Sequence, residues 1–340
     1  MKEQDVLLDV KQLSIAFQQK KQKVPIVHHI SFSIQKGETL GIVGESGCGK
    51  SITSMSLMGL NQQTDTTGEV HFEGQNLLSL SEKQWREIRG NDISMIFQEP
   101  MTSLNPLMTI GKQMTEALFT HQAIGQKEAK AKAIDLLQTV GLKQAESLLK
   151  KYPHELSGGM RQRVMIAMAM LCHPKLMIAD EPTTALDVTI QAQILRLLKK
   201  LNEEMDTAIL FITHDLGVVR QICQRVMIMY AGRIVEEGTV DRIFQKPLHP
   251  YTKGLFASVP SFKEKKEKLI SIAGHVPKPG AIRSGCQFAP RCPYQMAQCL
   301  EKDPALQSIE QNHRVACFLM EGGEDTESPT LASESSDKTV

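Results

Sequence analysis

An α/β core with a helical insertion, followed by a small cysteine-rich C-terminal extension, is the architecture this sequence predicts. Two observations carry the core: β-branched or alternating runs open the chain and return after about residue 176, and long helical patterns fill about 81–172 between them. A third separates the extension: after about residue 245, Pro247, Pro250, Pro260, Pro277, Pro279, Pro290 and Pro293 punctuate a segment with little periodicity.

VLLDVKQLSIAF and IVHHISFSI, split by the polar QQKKQK, read as a hairpin within residues 5–40. ETLGIVG (38–44) is a short apolar strand running into a glycine-rich turn, and SITSMSLMGL (51–60) has helical length and spacing. NQQTDTTGE is polar and turn-rich, and EVHF with FEGQN suggests a further short strand pair. SEKQWREIRG, GKQMTEALFTH and KEAKAKAIDLLQTVG read as helices, the last placing Ala131, Ile134, Leu137 and Val140 on one face. Residues 176–179 and AILFIT (208–213) are strands, and RVMIMYAGRIVEEGT (225–239) is two strands turning at Ala231-Gly232. KEKKEK (263–268) reads as a solvated linker, and the acidic 321–340 as a disordered tail.

Composition narrows the function classes. The 340 residues are 41% hydrophobic and 23% charged, with a formal charge of +1. That balance argues against the dominant basic footprint that duplex nucleic acid selects. The longest apolar stretch, Val164 to Cys172, is far short of the roughly 20 residues a membrane-spanning helix needs. MKEQDVLLDV lacks a basic region followed by an apolar one, so a cytosolic chain is expected, reaching any membrane through a partner.

GESGCGKS, Gly44 to Ser51, fits G-x-x-x-x-G-K-[ST] after a strand and before a helix. Glycines let backbone N–H groups turn inward around a phosphate, and the helix N-terminus adds a favourable dipole. Lys50 would reach the β- and γ-phosphates and the Ser51 hydroxyl would ligate Mg²⁺. LMIADE (Leu176 to Glu181) is an apolar strand ending in two acids, Asp180 for the magnesium shell and Glu181 to polarise the attacking water. LSGGMRQR (Leu156 to Arg163) sets Ser157, Gly158 and Gly159 at a second helix start. One nucleotide does not need two such sites from one subunit, so this one is expected to serve a partner's ATP.

With these residues the chain resembles the ABC-transporter ATPases over about residues 5–255. Gly44–Ser51 looks like Walker A (Gly44, Glu45, Ser46, Gly47, Cys48, Gly49, Lys50 and Ser51 binding ATP), Leu176–Glu181 like Walker B, and Leu156–Met160 like the signature, with Met160 where glutamine is usual. The resemblance implies a RecA-like P-loop NTPase core with an antiparallel β subdomain, and Glu181 as general base. It also implies Gln98 as the Q-loop glutamine at magnesium and water, His214 as the γ-phosphate switch, Ala185-Leu186-Asp187 as the D-loop, and Phe17 stacking on adenine.

FQEPMTSLNP (97–106), ITHDLGVV and HPYTKGL (249–255) resemble the oligopeptide/dipeptide importer ATPases, the D-type subunit in particular. This implies a peptide-import motor with its ATPase domain at 1–255, a helical subdomain at about 91–172, an extension at 256–320, and a tail at 321–340. The motor would lie peripherally on the cytoplasmic face of the membrane. Expected partners are two transmembrane permeases, an F-type ATPase as heterodimer mate and, indirectly, an extracellular binding protein. Nickel or another small solute is the alternative cargo, and a soluble, non-transport ABC ATPase the alternative class.

Cys286, Cys292, Cys299 and Cys317 converge within 32 residues, at intervals of five, six and seventeen residues. The pattern lacks the C-x-x-C spacing of common zinc sites, and in similar D-type proteins it binds a 4Fe–4S cluster, so iron–sulfur ligation is expected, with zinc, or free or disulfide cysteines, as alternatives.

Overall fold

Two long strands, β1 (Val6–Gln19) and β2 (Gln22–Gln35), form the expected hairpin, with Phe17 opposite Val24. The computed structural model describes residues 5–19, 22–61, 63–98, 103–184, 186–258, 272–282 and 284–320. KEKKEK, the 321–340 tail, Pro260 and Ala185 lie outside these residues. β4 (Thr64–Phe72) pairs antiparallel with β1 and carries β5 (Gln75–Asn76) on its other edge, completing a four-stranded sheet. The polar TDTTGE stretch is thus strand rather than turn. Backbone pairing with β1 holds it, and Gly68, at φ +107° beside a register shift, supplies the irregularity.

The second sheet has eight strands in the order β11-β12-β10-β9-β3-β8-β7-β6. Its parallel part comprises β9 (Arg225–Tyr230), β3 (Thr39–Val43), β8 (Ala208–Thr213), β7 (Leu176–Asp180) and β6 (Ile93–Ile96). β10 (Arg233–Thr239) turns back through Ala231 and Gly232, both at positive φ as a tight primed turn demands. The sheet separates two apolar cores. On β8, Ile209 and Phe211 face one and Ala208, Leu210 and Ile212 the other; on β7, Met177 and Ala179 oppose Leu176 and Ile178. Burial on both faces explains why these strands read as unbroken apolar runs.

Between β6 and β7 lie the helices α3 (Ile110–His121), α4 (Gln126–Thr139), α5 (Ala145–Leu148) and α6 (Gly158–Met170), numbered after α1 (Lys50–Leu57) and α2 (Glu82–Ile88). The stripe buried on α4 is Ala129, Ala133, Leu136 and Leu137, running on to Val140, while Ala131 is exposed and Ile134 half-buried. Alanines carry too little area to set the phase, which the paired leucines decide. The strand β6 sits inside the region whose pattern reads as helical; four apolar residues carry no period of their own.

The C-terminal extension does not stand apart. β12 (His313–Val315) pairs with β10, and β11 (Gln307–Glu310) pairs with β12, so the extension lengthens the core sheet. Glu236 on β10, fully buried, accepts hydrogen bonds from Leu248 N (2.7 Å), His249 N (3.0 Å) and His313 Nε2 (2.8 Å). His249 caps the helix Pro250–Ala257 by accepting from Tyr251 N at 3.0 Å, and Pro250 opens that helix where no N–H is needed. Tyr230 meets Tyr251 and Phe288 edge-on, and Tyr251 is tilted against Phe288, with ring centroids 4.6–5.4 Å apart.

Replacing Glu236 by Ala leaves three buried donors unpaired and is expected to lower stability by about 3–5 kcal/mol, read from urea midpoints at constant m. Burial holds His249 neutral, lowering its pKa from 6.5 to about 4. The unfolded chain therefore takes up this proton first. The stability His249 contributes is complete above pH 6.5 and is lost as pH falls toward 4, up to about 3 kcal/mol. Thermal unfolding followed from pH 8 to 4 should show this loss, and His249→Asn, which can still cap, should flatten it.

Candidate nucleotide-binding site

The buried strand β3 delivers the chain into the loop Gly44–Ser51. A Cβ on Gly44 would lie 2.1 Å from the Met229 carbonyl oxygen, so only glycine lets the loop leave the sheet here. Gly47 and Gly49 take φ of +80° and +106°, turning the backbone before α1 begins at Lys50. Ser46 and Gly47 form the exposed crest of the loop. Lys50 is only 5% exposed and donates from Nζ to the Gly44 carbonyl (2.7 Å) and the Glu45 carbonyl (3.1 Å). Cys48 is buried and its thiol is pushed up by that burial. Its contribution is main-chain: Cys48 N donates to Glu45 O at 3.3 Å and Cys48 O accepts from Gly232 N at 2.8 Å.

Beside the loop, β7 ends in Asp180. The Ser51 hydroxyl donates to Asp180 Oδ1 at 3.3 Å and Ser54 to Oδ2 at 3.4 Å. Burial raises the Asp180 pKa, outweighing these two donors and the Lys50 charge. A hydroxyl and a carboxylate meeting at the head of an anion-binding loop are hard oxygen donors of the kind magnesium takes while keeping its waters.

Glu181 departs from the strand at φ +48°, its N–H held by Ile212 O at 2.9 Å. Its carboxylate gathers the residues the resemblance singles out. Gln98 Nε2 donates to Oε2 at 3.1 Å, and His214 Nδ1 lies 3.2 Å from Oε1. Thr184 also donates to Oε2, at 2.8 Å. Burial works to raise the Glu181 pKa, but the Thr184 and His214 contacts and the Lys50 charge outweigh it and hold the carboxyl below its ordinary value. Gln98 follows β6, and His214 follows β8 immediately before Asp215, which caps the helix Leu216–Ile222. The three side chains thus project from the same edge of the parallel sheet, where such sheets bind ligands.

The serine–glycine turn sits elsewhere. Ser157 caps α6, accepting from Met160 N at 3.4 Å, and Asp187 caps the helix Val188–Met205, accepting from Ile190 N at 2.9 Å. Ser157, Gly158, Gly159, Leu186 and Asp187 line a cleft of ≈ 560 Å³ to which none of Gly44–Ser51 contributes. Phe17 is 39% exposed on β1, an aromatic face turned to solvent from the antiparallel sheet. Four residues of the site escape sequence reasoning. Thr184 and Ser54 bind the two carboxylates, and Tyr251 and Arg291 bind Glu45, its backbone and its side chain respectively. Thr184 lies three residues beyond the acidic strand end; Arg291 is 246 residues from its partner and carries no local signal.

The iron–sulfur and zinc expectations are corrected. Among the described residues no group of three or more His, Cys, Asp or Glu could hold a metal ion, and Cys286, Cys292, Cys299 and Cys317 are free cysteines. Burial pushes the Cys286 thiol up to about 11 and Cys317 up to about 12, and raises Cys292, each reinforced by repulsion among neighbouring cysteines. The segment is closed instead by its own backbone, Cys286 N donating to Cys299 O at 2.8 Å. His313 is 1% exposed and bound to Glu236.

A family model described as ABC transporter matches residues 27–184, and one described as the C-terminal region of oligopeptide/dipeptide transporters matches 235–299. The oligopeptide transport ATP-binding protein AppD of Bacillus subtilis is 53% identical over 93% of this chain and 97% of its own. The dipeptide transport ATP-binding protein DppD of Haemophilus influenzae is 50% identical over 92% of this chain and 94% of its own. Among solved structures, the dimeric post-hydrolysis state of the ATP-binding cassette MJ0796 bound to ADP and Pi matches with a TM-score of 0.62 and 29% identity. It covers 68% of this chain and 98% of that one.

Two glycines of the loop should behave oppositely. Gly44→Ala drives a methyl into a backbone carbonyl and is expected to cost about 3 kcal/mol. Gly47→Ala meets nothing within 4 Å and pays only for its positive φ, about 1 kcal/mol. Thermal unfolding of both variants checks the order.

Proposed function

This chain belongs to the ABC transporter ATP-binding proteins, within the oligopeptide and dipeptide transport group, and from that premise we propose that it hydrolyses ATP to drive uptake of peptides through a membrane importer. The observation that carries the reading is the convergence of Gln98, Thr184 and His214 on Glu181 beside a phosphate-binding loop. Inward-facing N–H groups of Gly44–Ser51, with Lys50, would take the β- and γ-phosphates. Phe17 would stack on the adenine. Ser51 and Asp180, with Gln98, would hold the magnesium ion, which offsets phosphate charge when bound. Glu181, kept ionised by its donors, would orient the attacking water and accept its proton. His214 would contact the γ-phosphate.

Ser157, Gly158 and Gly159 would close over the nucleotide of a second ATPase subunit. The separate cleft of the serine–glycine turn supports this, as does the dimeric state named for the MJ0796 cassette. We assign that mate to a related F-type ATPase rather than a second copy of this chain. Two permease subunits would supply the membrane path, and an extracellular binding protein would deliver the peptide to them. Among the described residues no helix is long and apolar enough to cross a membrane, which fits a peripheral subunit docked on the permeases at the cytoplasmic face.

Glu181→Gln removes the proton acceptor and leaves the loop intact. Its ATP turnover is expected to fall about a thousandfold with ATP affinity within about threefold. Lys50→Ala should lower turnover about a hundredfold or more through lost phosphate contacts. Uptake of defined dipeptides and oligopeptides by proteoliposomes holding the assembled transporter tests the cargo. Nickel uptake without peptide uptake would overturn it.

A further inference from the structure

Glu45 is the second residue of the phosphate-binding loop, and the C-terminal half of the chain grips it twice. Its N–H donates to the Tyr251 hydroxyl at 3.0 Å. Its carboxylate accepts from Arg291 Nη1, 3.2 Å from Oε1 and 3.1 Å from Oε2. Arg291 closes the turn Ala289–Arg291, immediately before Cys292, and its side chain is only 6% exposed. Its nitrogens are held further: Nε donates to Ala273 O (2.9 Å), Nη2 to Ile272 O (3.2 Å), and Nη1 also to the Tyr230 hydroxyl (3.4 Å). Such a guanidinium is fixed in place before any ligand arrives, unlike a surface pair that must be ordered to form.

The charge arrangement states the problem this contact solves. A carboxylate in a loop that takes a polyphosphate repels it, and Glu45 also presents its own carbonyl to Lys50 Nζ, the loop's cation. An arginine buried against that carboxylate cancels the repulsion without a mobile counter-ion.

We propose that Arg291 is a positioning residue for ATP binding: reaching in from the C-terminal extension, it neutralises Glu45 and, together with Tyr251, holds the entry of the phosphate loop in its binding shape. The extension is then part of the nucleotide site, although Arg291 meets the nucleotide only through Glu45. This rests on the assignment of Gly44–Ser51 as the ATP-binding loop.

The test measures ATP affinity of the full chain by equilibrium dialysis, and kcat and KM in the assembled transporter. Arg291→Ala and Arg291→Gln are expected to weaken ATP binding about tenfold, with kcat at saturating ATP within about threefold. Adding Glu45→Gln to either should return affinity to within about threefold of the parent chain, since no charge then needs cancelling. Arg291→Lys, which keeps the charge, should fall within about threefold. Should the alanine variant fail to fold, the glutamine pair, which keeps polar contacts, makes the same comparison. Unchanged affinity in Arg291→Gln overturns the proposal, and so does a double variant as weak as the single, because a merely structural role is not rescued at Glu45. Failure of the underlying assignment looks different: the parent chain and Lys50→Ala would then bind ATP equally.

Discussion

Asp180 and Glu181 are adjacent carboxylates at the edge of a loop built for anions, and the left-handed backbone at Glu181 sends them to different partners. Asp180 stays in register with the strand and faces Ser51 and Ser54. Glu181, at φ +48°, swings to Gln98, Thr184 and His214. Had the strand continued regularly, the two groups would have pointed to opposite faces of the sheet, one of them into an apolar core. The turn at Glu181 keeps both at the edge. Their environments then divide them: burial raises one pKa and donors lower the other. A strained backbone position of this kind persists where the surroundings over-determine it, here through Ile212 O and three side chains.

A third carboxylate, Glu45, sits in the loop itself and belongs to the same electrostatic problem. Its partner comes from the far end of the chain, and the geometry that brings it there begins at Glu236. That buried carboxylate ties β10 to the start of the helix bearing Tyr251 and to β12 through His313. The aromatic group of Tyr230, Tyr251 and Phe288 then fills the space under the loop, and Arg291 lies over two of those rings. The extension is therefore joined to the core by sheet pairing, by the buried hydrogen bond of His313 to Glu236 and by ring packing.

Local patterns carried the loop, the acidic strand end, the serine–glycine helix start and the two-sided apolar strands, because each is a matter of residue type at short spacing. The roles of Gln98 and His214 required resemblance: a lone glutamine after a four-residue strand or a histidine after β8 has no signature of its own. Two readings failed for definite reasons. The polar TDTTGE is strand because pairing with β1, not hydrophobic alternation, holds it. The four cysteines lie close in sequence, but spacing says nothing about how the fold packs them, and among the described residues no group of three or more His, Cys, Asp or Glu could hold a metal ion. Arg291 and Tyr251 were illegible because their meaning depends on a fold that closes over 200 residues of chain.

The proposed function turns on a nucleotide shared between Gly44–Ser51 of this chain and a serine–glycine turn supplied by another. A structure of the assembled Glu181→Gln transporter with ATP and magnesium tests it most directly. The expected result is triphosphate in the Gly44–Ser51 loop, with Ser51 and Asp180 at the metal and a signature serine of the opposing ATPase at the γ-phosphate. Triphosphate enclosed by Ser157 of the same chain, or bound away from the loop, would contradict it.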